Sequence, residues 1–159
     1  MRMFQSLGLS GVLVLAIQMT ALGQSSSGPV GQWSGNYTCH QGRTALHLTI
    51  KQQADGTFQG LFHFSSQPPF HAVPEGCFLM SGTFDPATRR LVLTPGEWLL
   101  QPDGYITVGM DGVLDPSGET FEGELTGGYQ CTTFDLQRSN AANTGNDRCK
   151  LRPKLLSMR

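Results

Sequence analysis

The sequence predicts an all-β fold, a small antiparallel up-and-down β-barrel of eight or nine short strands. Three observations lead there. Apolar and polar residues alternate through a series of short runs, the period of strands with one buried face. Turn residues interrupt those runs at regular spacing, as in barrels and sandwiches. Charged residues make up only 14% of the 159 positions while glycine takes 20 of them, and interior glycines let strands coil into a closed barrel. Helical, heptad and Gly-X-Y periods are absent after the N-terminal segment, which excludes bundles, coiled coils and collagen.

Residues 1–23 read as a cleaved signal peptide. Arg2 is the only charge before Arg43, Leu7 to Ile17 is apolar, and Ala21-Leu22-Gly23 offers small residues before a cut at Gln24. A membrane span needs about 20 apolar residues, and Gln18 and Thr20 end this run too early. Residues 24–31 form a flexible lead-in (SSSGPVG from Ser25), and the barrel domain is expected over 32–138.

The strands follow in order. Gln32 to Cys39 places Trp33, Gly35, Tyr37 and Cys39 on one face. Ala45 to Lys51 turns Leu46, Leu48 and Ile50 inward, and Asp55-Gly56 is a hairpin signal. Thr57 to Phe64 aligns Phe58, Gly60, Phe62 and Phe64. The Pro-rich stretch Ser65 to Gly76 then breaks the pattern. Cys77 to Phe84 resumes it and turns at Asp85-Pro86; Arg89 to Thr94 and a short piece, Glu97 to Leu100, come next. Tyr105 to Leu114 is expected as one strand. Asp115-Pro116 repeats the Asp-Pro corner thirty residues after the first, which is recurring turn chemistry. Phe121 to Leu125 and Cys131 to Arg138 complete the set, and 139–159 is a basic, loosely ordered tail.

Cys39, Cys77, Cys131 and Cys149 all follow the signal. An even number of cysteines in an exported chain points to disulfides, and the lack of a Cys-x-x-Cys pair argues against zinc. Four cysteines allow three pairings. Barrel closure brings the first and last strands together, so Cys39 is expected to bond Cys131, leaving Cys77 for Cys149. Cys131 is out of phase with Phe134 and Leu136, so a bulge or strand end near Gly127-Gly128 has to absorb the difference.

Between Gln24 and Gln137 four bases face eleven acids, whereas the tail from Arg138 carries six bases and one acid. An acidic body excludes nucleic acid as the main partner, because phosphate binding wants a basic folded surface. It suits a basic protein partner through steering. His47 and His63 fall on the polar faces of adjacent strands, with no obvious completing ligand, and no metal or other cofactor is expected. Asp111, Asp115, Glu119, Glu122 and Glu124 lack the spacing of a calcium loop and read as a solvated hairpin face. No nucleophile elbow is present, so no catalytic residue is assigned.

The segments Trp33-Ser-Gly-Asn-Tyr-Thr-Cys-His-Gln-Gly42, Leu46-x-Leu-Thr-Ile50, Met80-Ser-Gly-Thr-Phe-Asp-Pro86 and Cys131-Thr-Thr-Phe134 resemble an uncharacterised group of bacterial exported small β domains. The likeness covers Gly31 to Arg138 and implies export and a single domain. Gly31-x-Trp33 and Gly56-x-Phe-x-Gly60 are similar to the first hairpin of calycin barrels of the lipocalin and avidin type. Tyr37-Thr-Cys39 is similar to the opening of periplasmic c-type lysozyme inhibitors.

The expected function is a secreted or periplasmic, non-enzymatic binding or inhibitor module for a protein or small ligand. The alternatives are a small exported hydrolase and a structural envelope domain. The expected binding surface joins the Ser65–Gly76 loop, with Phe70 and His71 at its tip, to Trp98 and Tyr105 flanking Gln101 to Gly104. Long loops in small domains tend to carry function. The competing expectation is that Phe70 and Trp98 fold back to plug the barrel mouth as core.

Overall fold

A computed structural model describes residues 28–67, 72–141 and 145–151. The expected signal peptide, Phe70 and His71 lie outside the described residues.

Eight antiparallel strands, each paired with its neighbours in sequence, close into an up-and-down barrel. They are β1 (Gly31–Cys39), β2 (Gly42–Gln52), β3 (Phe58–Ser65), β4 (Gly76–Asp85), β5 (Arg90–Leu100), β6 (Gly109–Leu114), β7 (Thr120–Thr126) and β8 (Thr133–Ser139). Closure is made by β1 against β8, with Trp33 opposite Arg138 and Tyr37 opposite Phe134. The inner face follows the alternation: Trp33, Leu48, Ile50, Phe62, Met110 and Phe121 are all essentially inaccessible to solvent. Burying one such side chain is worth about 1.5–3 kcal/mol.

Three expectations are revised. Arg89–Thr94 and Glu97–Leu100 are a single strand, β5, so the number is eight. Pro95 and Gly96 lie where its register against β4 shifts, between the pairs Phe78–Trp98 and Met80–Pro95. A residue without an N–H cannot continue the ladder regularly, and the strand bends there without ending. Tyr105 to Val108 is not strand; β6 begins only at Gly109, because the chain leaves the ladder to pass over the barrel mouth, where Tyr105 stacks on Phe64. Cys131 precedes β8, which starts at Thr133. Its connection carries positive φ at Gly127 and Gln130, so Cys131 is released from the alternation of Phe134 and Leu136.

The two barrel ends differ. At one end, β2–β3, β4–β5 and β6–β7 are short turns, each held by an aspartate. Asp55 accepts from the Thr57 N–H (2.9 Å), Asp85 from the Ala87 N–H (2.9 Å) and Asp115 from the Thr120 N–H (2.8 Å). Hydrogen bonds from the hydroxyls of Thr57, Thr88 and Ser117, and then these backbone bonds, hold all three carboxyls below the usual carboxylate range. The two Asp-Pro corners lie at the same end, with the positive φ at Arg89 in one and at Gly118 in the other. Trp33 seals this end, donating from Nε1 to the Pro29 carbonyl (2.9 Å). The Arg138 guanidinium lies 4.3 Å from the Trp33 ring centroid and donates to the carbonyls of Gly28, Val30 and Gly118 at 2.8–2.9 Å.

Both disulfides, Cys39–Cys131 and Cys77–Cys149, are formed. The second ties a short 3-10 turn, Asp147–Cys149, to the outer barrel wall. Leu61, Cys77 and Cys149 form a second buried cluster there, flanked by Leu79, Leu99, Leu100 and Leu151. Residues 145–151 therefore cover apolar positions on a face expected to be solvated, which modifies the reading of a loosely ordered tail for this part of it. No described helix is long and apolar enough to cross a membrane.

Candidate functional site

Among the described residues, the end opposite Trp33 is open. Up-and-down connectivity brings the connections 40–41, 101–108 and 127–132 together there. A half-open cavity of about 440 Å³ lies among them. Tyr37, Phe62, Phe64 and Phe78 form its wall; Tyr105, Ile106 and Val108 border it from the β5–β6 connection, and His40, Gln41 and Tyr129 from the adjoining hairpins. The Cys39–Cys131 disulfide lines it too and staples the first hairpin to the β7–β8 connection.

An aromatic lattice sets the wall. Phe62 stacks on Phe78 (4.7 Å between centroids), Tyr37 meets Phe62 edge-on (5.2 Å), and Tyr105 stacks on Phe64 (5.4 Å). Such pairs add about 0.5–1.5 kcal/mol each beyond area burial. Among the polar groups, the Tyr37 hydroxyl accepts from Gln41 Nε2 (3.1 Å). Burial pushes the Tyr37 phenol well above its ordinary value, so it is neutral at physiological pH. At the rim, His40 Nδ1 is 2.7 Å from Gln130 Oε1, and Tyr129 is 71% exposed beside His40.

Of the residues singled out in the sequence, Tyr105 lines the cavity. Trp98 sits beside the wall, opposite Phe78 across the β4–β5 ladder and edge-on to Phe78 (5.0 Å) and Phe64 (6.3 Å). It packs against the core and is not among the cavity-lining residues. Sequence reasoning missed the contribution of Tyr37, Gln41 and Val108. Tyr37 reads there as one more inward strand position, and its hydroxyl, the one polar atom that position places at an apolar wall, is the signal that marks it out.

A second polar group lies on the outer wall. Ser34, His47, His63 and Cys77 occupy one register row across β1 to β4. His47 Nε2 is 2.8 Å from Gln32 Oε1, an acceptor, which leaves Nδ1 to accept the Ser34 hydroxyl proton at 3.0 Å. Burial, then the His63 charge, lower the His47 pKa. Ser34 is flanked by paired strands on both sides, so its surrounding backbone N–H groups belong to the ladder and supply no oxyanion site. His63 Nε2 is 2.8 Å from Glu75 Oε1, and the same carboxylate oxygen accepts from the Asn146 N–H at 2.8 Å. The sequence reading found no completing ligand for these histidines; Glu75 does reach His63, brought there by the β3–β4 connection. His63, Glu75 and Cys149 gather within 4.8 Å, but the sulfur is bonded to Cys77 and is no thiolate donor. The group anchors the C-terminal segment to the wall.

Two of the acidic residues considered for calcium have structural roles. Asp111 forms a two-pronged pair with Arg90 (2.6 and 2.8 Å), and Asp115 holds its turn. No protein-family model matches the chain, and no curated protein does either.

Proposed function

We propose that this protein is an exported, non-enzymatic binding module whose barrel mouth takes a small, mostly apolar ligand. The observation that carries the reading is the cavity of about 440 Å³, half-open and walled by aromatic side chains. Ligand sites are typically concave, mostly apolar, 300–1,000 Å³ and furnished with few polar groups. A closed strand ladder and the Cys39–Cys131 staple hold the wall in place before binding, which lowers the ordering cost. Two disulfides fit an extracellular or periplasmic setting.

The test is a titration with the neutral fluorophore N-phenyl-1-naphthylamine. Saturable enhancement at one probe per protein is expected. Val108→Trp, which places an indole in the cavity, should abolish it without lowering the melting temperature by more than a few degrees. Absence of saturable binding by the wild-type protein, or full binding by the Val108→Trp variant, refutes the reading. A second reading, a protein partner gripped by the rim, is favoured by the exposure of Ile106 (59%) and Tyr129 (71%). It requires an Ile106→Ser, Tyr129→Ser variant to lose that partner while keeping the fluorophore.

A further inference from the structure

Charge is separated along this chain, and the barrel mouth makes no use of that separation. After Asp147 the sequence holds no acid. Arg148, Lys150, Arg152, Lys154 and Arg159 are basic, and Leu151, Leu155, Leu156 and Met158 are apolar. The body has the opposite balance, eleven acids against four bases between Gln24 and Gln137. A negatively charged surface therefore repels the body and attracts residues 148–159.

The fold sets where that stretch begins. The Cys77–Cys149 disulfide ties it to the outer wall at β4. A groove of about 430 Å³ lies there, lined by Gln59, Leu79 and Leu99 from the strands and by Arg148, Lys150 and Leu151. It shares no lining residue with the cavity at the barrel mouth. Leu79, Leu99 and Leu151 are only half-buried, so the described residues leave part of this apolar strip uncovered. No acidic side chain lines the groove among the described residues. Asp147 pairs with Lys150 at 2.5 Å, and among the described residues no carboxylate forms an ion pair with the exposed Arg148.

Leucines edged by bases call for a partner that is apolar in one layer and negative in the next. A bilayer of anionic phospholipid has that profile: its acyl layer accepts leucine, and its phosphates meet bases whose long stems reach up to them. Nucleic acid supplies the charge and lacks the accessible apolar layer. We propose that residues 148–159, together with the Leu79–Leu99 strip of the outer wall, hold this protein on the surface of an anionic bilayer without crossing it. Basic charge and apolar insertion are the two signals that stable peripheral attachment requires.

Co-sedimentation of the full mature chain with vesicles tests it. At about 0.1 M salt the protein should pellet with vesicles of about 30% phosphatidylglycerol in phosphatidylcholine and stay in solution with phosphatidylcholine alone, and about 0.5 M salt should release it. Each base removed should weaken binding about fivefold, so Arg148→Gln, Arg152→Gln and Lys154→Gln combined should lose roughly 100-fold. Arg148→Gln alone should lose its fivefold if the combined variant does not fold. Leu155→Ser with Leu156→Ser keeps every charge and should lose at least about tenfold. No pelleting with the anionic vesicles, equal pelleting with both lipids, or a Gln variant that binds as wild type overturns the proposal. Undiminished binding by the leucine variant, or capture of single-stranded DNA as tight as that of the vesicles, marks a general polyanion surface and overturns the bilayer as its occupant.

Discussion

Replacing Arg138 by Met isolates the device that closes the sealed end. Arg138 is on β8, and its guanidinium covers the Trp33 ring while donating to carbonyls of Gly28, Val30 and Gly118. Its side chain is 14% exposed; burial pulls its pKa down, offset by the nearby Glu119 and Asp115, and the guanidinium stays charged. Hydrogen bonds from a charged donor are worth roughly 1.5–3 kcal/mol each when one partner is removed. The cation–π contact adds about 1–2 kcal/mol in a partly desolvated site. These terms overlap, since the carbonyls of the lead-in recover water once the guanidinium is gone and the methionine stem retains much of the packing. A net loss of about 3 kcal/mol is expected, or roughly 10–15 °C in melting temperature for a domain of this size. Arg138→Lys keeps the charge and loses the fork, and should recover less than half of that loss. The assay is thermal unfolding followed by near-ultraviolet circular dichroism with disulfides intact. A Met variant within about 3 °C of wild type, or a Lys variant equal to wild type, would refute the reasoning.

Three further outcomes are expected. Removing the Cys39–Cys131 disulfide by a double serine substitution opens a link spanning 92 residues; it should cost about 4–5 kcal/mol in the chain-entropy account, read as a lower urea midpoint with a steeper slope, because the denatured chain freed of the cross-link exposes more surface. Gly35→Ala should cost about 3 kcal/mol, because a Cβ there would lie 2.0 Å from the Asp135 carbonyl oxygen across the β1–β8 seam; a melting temperature unchanged by the substitution would show that the seam yields. Stability should fall with acidification in two stages. The His47 pKa is lowered in the folded protein, so its contribution is full above the ordinary value of 6.5 and is lost as pH falls through the folded value. Glu75 is lowered by its Asn146 hydrogen bond, then by His63, and its contribution disappears as pH drops below about 4.5. His47→Gln should flatten the upper stage, and Glu75→Gln should remove only its own share of the lower one, which Asp55, Asp85, Asp111 and Asp115 also contribute to, measured as melting temperature against pH.

Much of the barrel is determined by the sequence alone, because strand alternation and turn chemistry are local. Leu46, Leu48 and Ile50 point inward since side chains alternate at every residue, and Asp55, Asp85 and Asp115 each hold a turn with atoms a few positions away. Once closure is inferred, the first and last strands must meet, and the pairing of Cys39 with Cys131 follows. The tertiary structure alone decided what depends on distance along the chain. Arg138 reaches Val30 across 108 residues, and Glu75 reaches Asn146 across 71; no local period announces either contact. Leu61 is buried on an outward position only because Cys77 draws Cys149 and its neighbours onto that face. The cavity is of the same kind. Tyr37, Phe62 and Phe78 are ordinary inward strand residues in the sequence, and whether inward side chains fill a barrel or leave space at one end is set by the summed volumes of eight strands and the crossing connections. The sealed end is filled because Trp33 has a partner over its ring. Among the described residues the other end keeps a cavity, bordered by Tyr105 stacked on Phe64, with Trp98 packed beside Phe78.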